Sequence, residues 1–186
     1  KTFDVKFTAG NKADFDIWAG QDVLFHIPFT STENTDSIRT RIYAGRDIIS
    51  TANTADVTFN STGDLGSTLT WVARRNITTN GILTAAYTGS NTGIMGFQAA
   101  GGNITANNKV RISTENTNNV LFSAEMLACG MQNTGNAPYT DCTPGNRNNQ
   151  DGNIYWNDSV TIKRSVATHH TTNILAMNNI RTQQVG

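Results

Sequence analysis

The segment from Asp141 to Asp158 concentrates the side chains of this chain that could bind a ligand. Carboxylates and carboxamides follow each other closely there, and aromatic rings stand between them. Oxygen-rich loops of this kind bind sugar hydroxyls, and an aromatic ring can cover the apolar face of a sugar. The candidate ligand-binding residues are Tyr139, Asn148, Asp151, Asn153, Tyr155, Trp156 and Asp158. The alternatives are a calcium loop and a long polar surface loop without a ligand.

The glutamates and histidines of the chain give little indication of a catalytic site or a metal site. A glycosidase needs two carboxylates across the scissile bond, and nothing in the spacing of Glu115 and Glu125 brings them together. His26, His169 and His170 lack further ligands at metal-binding spacing. We therefore expect a non-enzymatic protein without a metal or a cofactor. A carbohydrate-active enzyme that uses Glu115 or Glu125 is the alternative.

Cys129 and Cys142 are the two cysteines of the chain. A disulfide between them would close a loop rich in turn-forming residues and would stabilise the fold by roughly 3 kcal/mol. Such a bond predicts an oxidising compartment, so we expect an extracellular location or one at a cell or virion surface. Two unrelated reduced thiols are the alternative.

The composition excludes some classes of protein. The 186 residues carry no net charge, so the basic stripe of a nucleic-acid-binding protein is missing, and no apolar run reaches the length of a membrane span. The chain contains 28 Thr and 23 Asn but only 3 Glu. Threonine favours strands and asparagine favours turns, whereas scarce glutamate argues against helices. An all-β protein is expected.

The elements that would position the candidate site are short alternating segments separated by turns. The clearest signal is Asn80-Gly81 between two such segments, which predicts a type I′ hairpin that pairs Ile77 with Thr84. No internal repeat of fixed period is visible, which argues against a solenoid. Residues 1–166 are therefore predicted to form a two-sheet antiparallel β-sandwich or jelly roll, with Trp18 and Trp71 in the core.

Residues 167–186 carry apolar residues at a spacing more typical of a helix than of a strand. They are predicted to form a C-terminal extension, either an arm or a short helix.

The functional hypothesis is a secreted recognition domain of the adhesin or lectin type that binds a glycan or another cell-surface ligand through its end loops. The alternative is a structural subunit of a pilus, fibre, capsid or phage appendage. Such a subunit would form a homo-oligomer through the N-terminal strand or the C-terminal arm.

Overall fold

The computed structural model describes residues 3–7, 13–33, 38–61, 68–87, 93–114, 121–128, 152–164, 169–176 and 179–183. The regular elements within these ranges are β-strands, as the composition predicts. Their bounds are β1 Phe3–Phe7, β2 Ala13–Ala19, β3 Val23–Phe25, β4 Phe29–Glu33, β5 Ile38–Ala44, β6 Ile48–Ser50, β7 Val57–Ser61, β8 Thr68–Ala73, β9 Ile77–Thr79, β10 Leu83–Tyr87, β11 Gly93–Ala99, β12 Ile104–Ala106, β13 Val110–Thr114, β14 Leu121–Ala128, β15 Ile154–Trp156, β16 Val160–Arg164, β17 His169–Ala176 and β18 Ile180–Thr182. A search of the described residues for a helix with the length and apolar character of a membrane span finds none.

The strands form three parallel sheets of six strands each. In each sheet the strands are stacked in chain order. Sheet A contains β1-β4-β7-β10-β13-β16, sheet B contains β2-β5-β8-β11-β14-β17, and sheet C contains β3-β6-β9-β12-β15-β18. Consecutive strands always enter different sheets, and the chain returns to the same sheet after every third strand. We call one such passage through sheets A, B and C a rung. The fold is a β-solenoid, so the predicted antiparallel sandwich is wrong.

The hairpin predicted at Asn80-Gly81 is also wrong. Ile77 lies in sheet C and pairs with Ile48 and Ile104 of the neighbouring rungs, whereas Leu83 already belongs to sheet A. Gly81 is needed for a close approach, because a Cβ there would lie 2.3 Å from the carbonyl oxygen of Ala55. Among the described glycines a positive φ occurs at Gly152, at 86°, and not at this corner.

The core lies between the three sheets and is centred on Trp71. This side chain is fully buried, as predicted, and its ring packs against Phe25, Phe59 and Phe97 at centroid distances of 5.5 to 5.6 Å. Trp18 lies outside the core and is 61% exposed, contrary to the prediction. Alternation along β2 turns it to the outer face of sheet B, where its ring stacks on Tyr43.

The C-terminal segment continues the solenoid. β17 pairs in parallel with β14, and β18 pairs with β15. Ile174 and Ala176, two residues apart, both pack against the core. Three residues of the predicted helical stripe therefore lie on strands, Ile174 and Leu175 on β17 and Ile180 on β18. The fourth, Met177, lies outside the described residues. A two-residue spacing places side chains on one face of a strand, and the neighbouring strand satisfies the backbone hydrogen bonds.

Candidate functional site

Two columns of polar side chains flank sheet C, one at each end of its short strands. The first column, which we call the inner Asx column, is formed by the residues that immediately precede the six strands of sheet C. Its members are Asp22, Asp47, Asn76, Asn103, Asn153 and Asn179. Asp and Asn suit this position because their short side chains can hydrogen-bond to nearby backbone groups.

The inner Asx column is joined by one repeated hydrogen bond. The backbone N–H of Asp47 donates to Oδ1 of Asp22 over 3.1 Å, and that of Asn76 donates to Oδ1 of Asp47 over 3.0 Å. Asn103 donates in the same way to Asn76, and Asn153 donates to Asn103, both over 2.9 Å. The side chains therefore satisfy backbone donors at a corner where no strand partner is available.

Two arginines neutralise the carboxylates at the start of this column. Arg46 donates to Asp22 through Nε and Nη2, and Arg75 donates to Asp47 through the same two atoms, with Nη2 2.5 Å from Oδ2 of Asp47. The hydrogen bonds from Arg46 lower the pKa of Asp22 to about 2. Pairing with Asp22 raises the pKa of Arg46, and pairing with Asp47 raises that of Arg75. These charges stabilise the stack and are already fully paired.

The second column follows the strands of sheet C and is more exposed. The side-chain Nδ2 of Asn107 donates to Oδ1 of Asn80, and Nδ2 of Asn157 donates to Oδ1 of Asn107, each over 2.6 Å. Asn80 continues the column by donating to the carbonyl oxygen of Ser50. A carboxamide has two N–H donors and two lone pairs, so these bonds leave a second donor and a second acceptor on each of the three.

The middle residue of each sheet C strand points to the same side as this exposed column. Thr78, Thr105 and Tyr155 lie in register on neighbouring strands and are partly exposed. We call the surface formed by Thr78, Asn80, Thr105, Asn107, Tyr155 and Asn157 the amide face. It spans the rungs of β9, β12 and β15, and each of these rungs contributes one Asn and one Thr or Tyr. Its side chains are uncharged hydrogen-bonding groups, and Tyr155 adds one aromatic ring.

The structure separates the four described candidate site residues. Asn153 is 1% exposed and belongs to the inner Asx column, and Trp156 is 9% exposed with its ring in the core. Oδ1 of Asp158 accepts the backbone N–H of Ser159 at the corner after β15. Tyr155 remains partly exposed on the amide face. Of these four, Tyr155 is the side chain best placed to contact a ligand.

The other candidates lie outside what the structure describes. These are Tyr139, Asn148, Asp151, Cys129, Cys142 and Glu115. Glu125 lies on β14, and His169 and His170 lie on β17. His26 is exposed, and its Nδ1 lies 2.9 Å from Oγ1 of Thr51. Within the described ranges no group of three potential metal-ligating side chains occurs.

Asn80 and Asn107 were missed as functional candidates, although the sequence carries a signal for them. The pattern Asn-Ile-x-x-Asn occurs at 76–80, at 103–107 and at 153–157. Its first Asn joins the inner column, its Ile enters the core, and its last Asn joins the exposed column.

Comparison with family models, curated proteins and solved structures finds no match to this chain. The asparagine side chains of the amide face hold one another in place through hydrogen bonds between neighbouring rungs. Its exposed carboxamides are fixed by their neighbours, and such fixed donors and acceptors lose little conformational freedom when they bind a polar ligand.

Proposed function

We propose that this chain is a non-enzymatic recognition solenoid at a cell or virion surface, or in another extracellular setting, that binds an extended glycan along the amide face. The observation that supports this most directly is the column of three carboxamides joined by two hydrogen bonds of 2.6 Å, beside the partly exposed Tyr155. Asn107 and Asn157 are exposed and Asn80 is partly exposed. Each carboxamide still offers a donor and an acceptor to a ligand.

A glycan fits the chemistry of this face better than a charged ligand does. The six residues of the amide face carry no formal charge, so a phosphate or a basic peptide would find no counter-charge among them. Sugar hydroxyls both donate and accept hydrogen bonds, as carboxamides do. The ring of Tyr155 supplies an apolar surface against which a sugar ring can pack.

The repeat of the solenoid favours an extended polymer over a single sugar. Neighbouring strands in a sheet lie about 4.8 Å apart, so each rung presents the next set of contacts at that interval. A polymer can bind several rungs at once, and linked weak contacts give a higher combined affinity than one contact alone.

The proposal is tested with a glycan array, followed by calorimetry on any polysaccharide that binds. Tyr155→Ala should weaken binding roughly 5- to 150-fold, by analogy with aromatic rings that stack on nucleobases, whose removal costs about 1–3 kcal/mol. Thr84→Ala on the outer face of sheet A, which is also partly exposed, is the matched control and should leave binding unchanged. Absence of any glycan ligand, or equal binding by Tyr155→Ala and the parent, would reject the proposal.

A structural subunit of a fibre, pilus, capsid or phage appendage is the second candidate. The in-register continuation of three sheets over six strands each favours it, because such a stack resists bending and can extend by adding rungs. Its test is whether the native protein assembles in solution. A protein that stays monomeric at all concentrations would argue against this role without affecting the glycan proposal.

A further inference from the structure

We propose that Asn80-Gly81 is a site of self-catalysed deamidation that the fold keeps closed through Ser50. It is the sole Asn-Gly pair in the chain. Glycine has no side chain, so its backbone nitrogen can approach the preceding carboxamide more closely than that of any other residue. The inference concerns a modification of this corner and does not depend on glycan binding.

The reaction uses atoms of these two residues and water. The backbone nitrogen of Gly81 loses its proton to solvent and attacks Cγ of Asn80, so that a succinimide ring forms. The Cγ–Nδ2 bond breaks, and Nδ2 takes up a proton and leaves as ammonia. Water then opens the ring at either carbonyl, which gives aspartate or isoaspartate at position 80. The reaction therefore needs a Gly81 nitrogen that can lose its proton and an Asn80 side chain that can rotate towards it.

Ser50 binds the N–H group whose nitrogen would attack. Its Oγ accepts the backbone N–H of Gly81 over 3.1 Å and that of Asn80 over 2.8 Å. Ser50 is fully buried, and Gly81 is buried beside it. A buried, hydrogen-bonded amide exchanges its proton with solvent when the structure opens locally. The Gly81 nitrogen therefore keeps its proton while this corner is closed.

The Asn80 side chain is held as well, by one hydrogen bond at each end of its carboxamide. Nδ2 donates to the carbonyl oxygen of Ser50 over 2.8 Å, and Oδ1 accepts from Nδ2 of Asn107 over 2.6 Å. Rotation towards Gly81 would break both bonds. Gly81 also packs closely on the neighbouring rung, where a Cβ would lie 2.3 Å from the carbonyl oxygen of Ala55, so its backbone has little freedom to move.

A reaction at this corner would leave a permanent change. Aspartate has no N–H to donate to the carbonyl oxygen of Ser50, and isoaspartate adds one backbone atom next to the closely packed Gly81. Either product places a negative charge on the amide face, whose six residues carry none. The state of position 80 thus records whether the corner after β9 has separated from β6.

The test follows deamidation at position 80 by peptide mass mapping and an isoaspartate assay in mildly alkaline buffer. The folded parent should react at least about tenfold more slowly than the same chain in urea, because the folded protein must first open. Ser50→Ala removes the oxygen that binds the Gly81 N–H and should speed the reaction of the folded protein about tenfold. Thr79→Val is the matched control and should react like the parent. It removes a buried hydroxyl that has no hydrogen-bond partner in the described part of the chain.

Amide hydrogen exchange on the parent gives a second measurement, which decides the question if Ser50→Ala does not fold. The Gly81 amide should be protected. At low urea its exchange rate and the deamidation rate should rise by the same factor, because both require the same opening. A folded parent that deamidates as fast as the unfolded chain overturns the proposal, and so does a Gly81 amide that exchanges freely. If Ser50→Ala folds and reacts no faster than Thr79→Val, Ser50 does not close the site and the proposal is wrong.

Discussion

The inner Asx column uses two different chemistries in its two halves. In the first half Asp22 and Asp47 occupy the column, and each pairs with an arginine from the following rung, Arg46 or Arg75. In the second half Asn103 and Asn153 occupy it, and the residue before each is a glycine. Both halves satisfy the same backbone donors, with oxygen-to-nitrogen distances of 2.9 to 3.1 Å.

The difference follows from what each side chain can donate. A carboxylate only accepts hydrogen bonds, so neighbouring aspartates repel each other unless a cation lies between them. A carboxamide both donates and accepts, as Asn153 shows by donating Nδ2 to Oδ1 of Asn103 while accepting from Asn179. The carboxamide half therefore needs no arginine, and a glycine before the column residue allows closer packing.

Among the substitutions that test this difference, we expect Asp47→Ala to lower the free energy of unfolding most. Oδ1 of Asp47 accepts three hydrogen bonds, from the backbone and side chain of Asn76 and from Nε of Arg75. Its removal leaves a donor at the corner without a partner and should lower the free energy of unfolding by about 3 kcal/mol. Urea unfolding measures the change. A loss below about 1 kcal/mol would show that water replaces the carboxylate and that the column contributes little.

The second effect concerns the glycine before the column. A Cβ at Gly102 would lie 2.6 Å from the carbonyl oxygen of Arg75 and 2.4 Å from Oδ1 of Asn76. Gly102→Ala should therefore destabilise the protein by about 2 kcal/mol through overpacking. Gly96→Ala is the matched control, because a Cβ there meets nothing within 4 Å, and it should be neutral or slightly stabilising. Equal melting temperatures for the two variants would contradict the close packing.

Exchanging a carboxamide for a carboxylate, or the reverse, should cost less stability than the two substitutions above. The cost should also differ between the two directions of exchange. Asn103→Asp removes the side-chain donor, adds a charge, and has Gly102 where the first half has an arginine. We expect a loss of about 1–2 kcal/mol at neutral pH, by comparison with other polar groups left without a partner. Asp47→Asn keeps the acceptor for Asn76 and loses an ion pair whose arginine is half exposed, so its cost should stay below about 1 kcal/mol. The reverse order would contradict the assignment of roles.

The sequence predicts the strand content of this molecule well and the pairing of the strands poorly. Alternation along single segments identifies Trp71 as core, because that signal is local. The partners are not local. The column residues that stack on one another are 25, 29, 27, 50 and 26 residues apart, so a search for one fixed period fails. The interval of 50 spans the long segment between β14 and β15.

For the candidate site, too, the sequence indicates the local chemistry but not the contact partners. The composition of residues 141–158 indicates polar chemistry but cannot distinguish an Asn that binds a ligand from one that binds the next rung. Asn153 and Asn157 differ by four positions, and one is buried in the inner column while the other is exposed on the amide face. Alternation from the Ile of the Asn-Ile-x-x-Asn pattern does not separate them, because the residues one before and three after the Ile fall on the same face of a strand. Asn153 is buried because it lies at the corner before β15, where its side chain bonds to Asn103 and Asn179 of the neighbouring rungs.

The smallest effect is a pH dependence that belongs to the charged half alone. Arg46 holds the pKa of Asp22 at about 2, below its ordinary value of 3.8. In the unfolded chain the carboxyl group takes up its proton near the ordinary value, so the unfolded state binds more protons between these two values. The stabilisation by this pair is therefore complete above pH 3.8 and should be lost as the pH falls towards 2.

In urea unfolding across this range, Asp22→Asn and Arg46→Gln should both lose less stability than the parent, since each removes the pair. If all three proteins lose stability in parallel, the ion pair does not act on folding, and the arginines of the first half serve the column through packing alone.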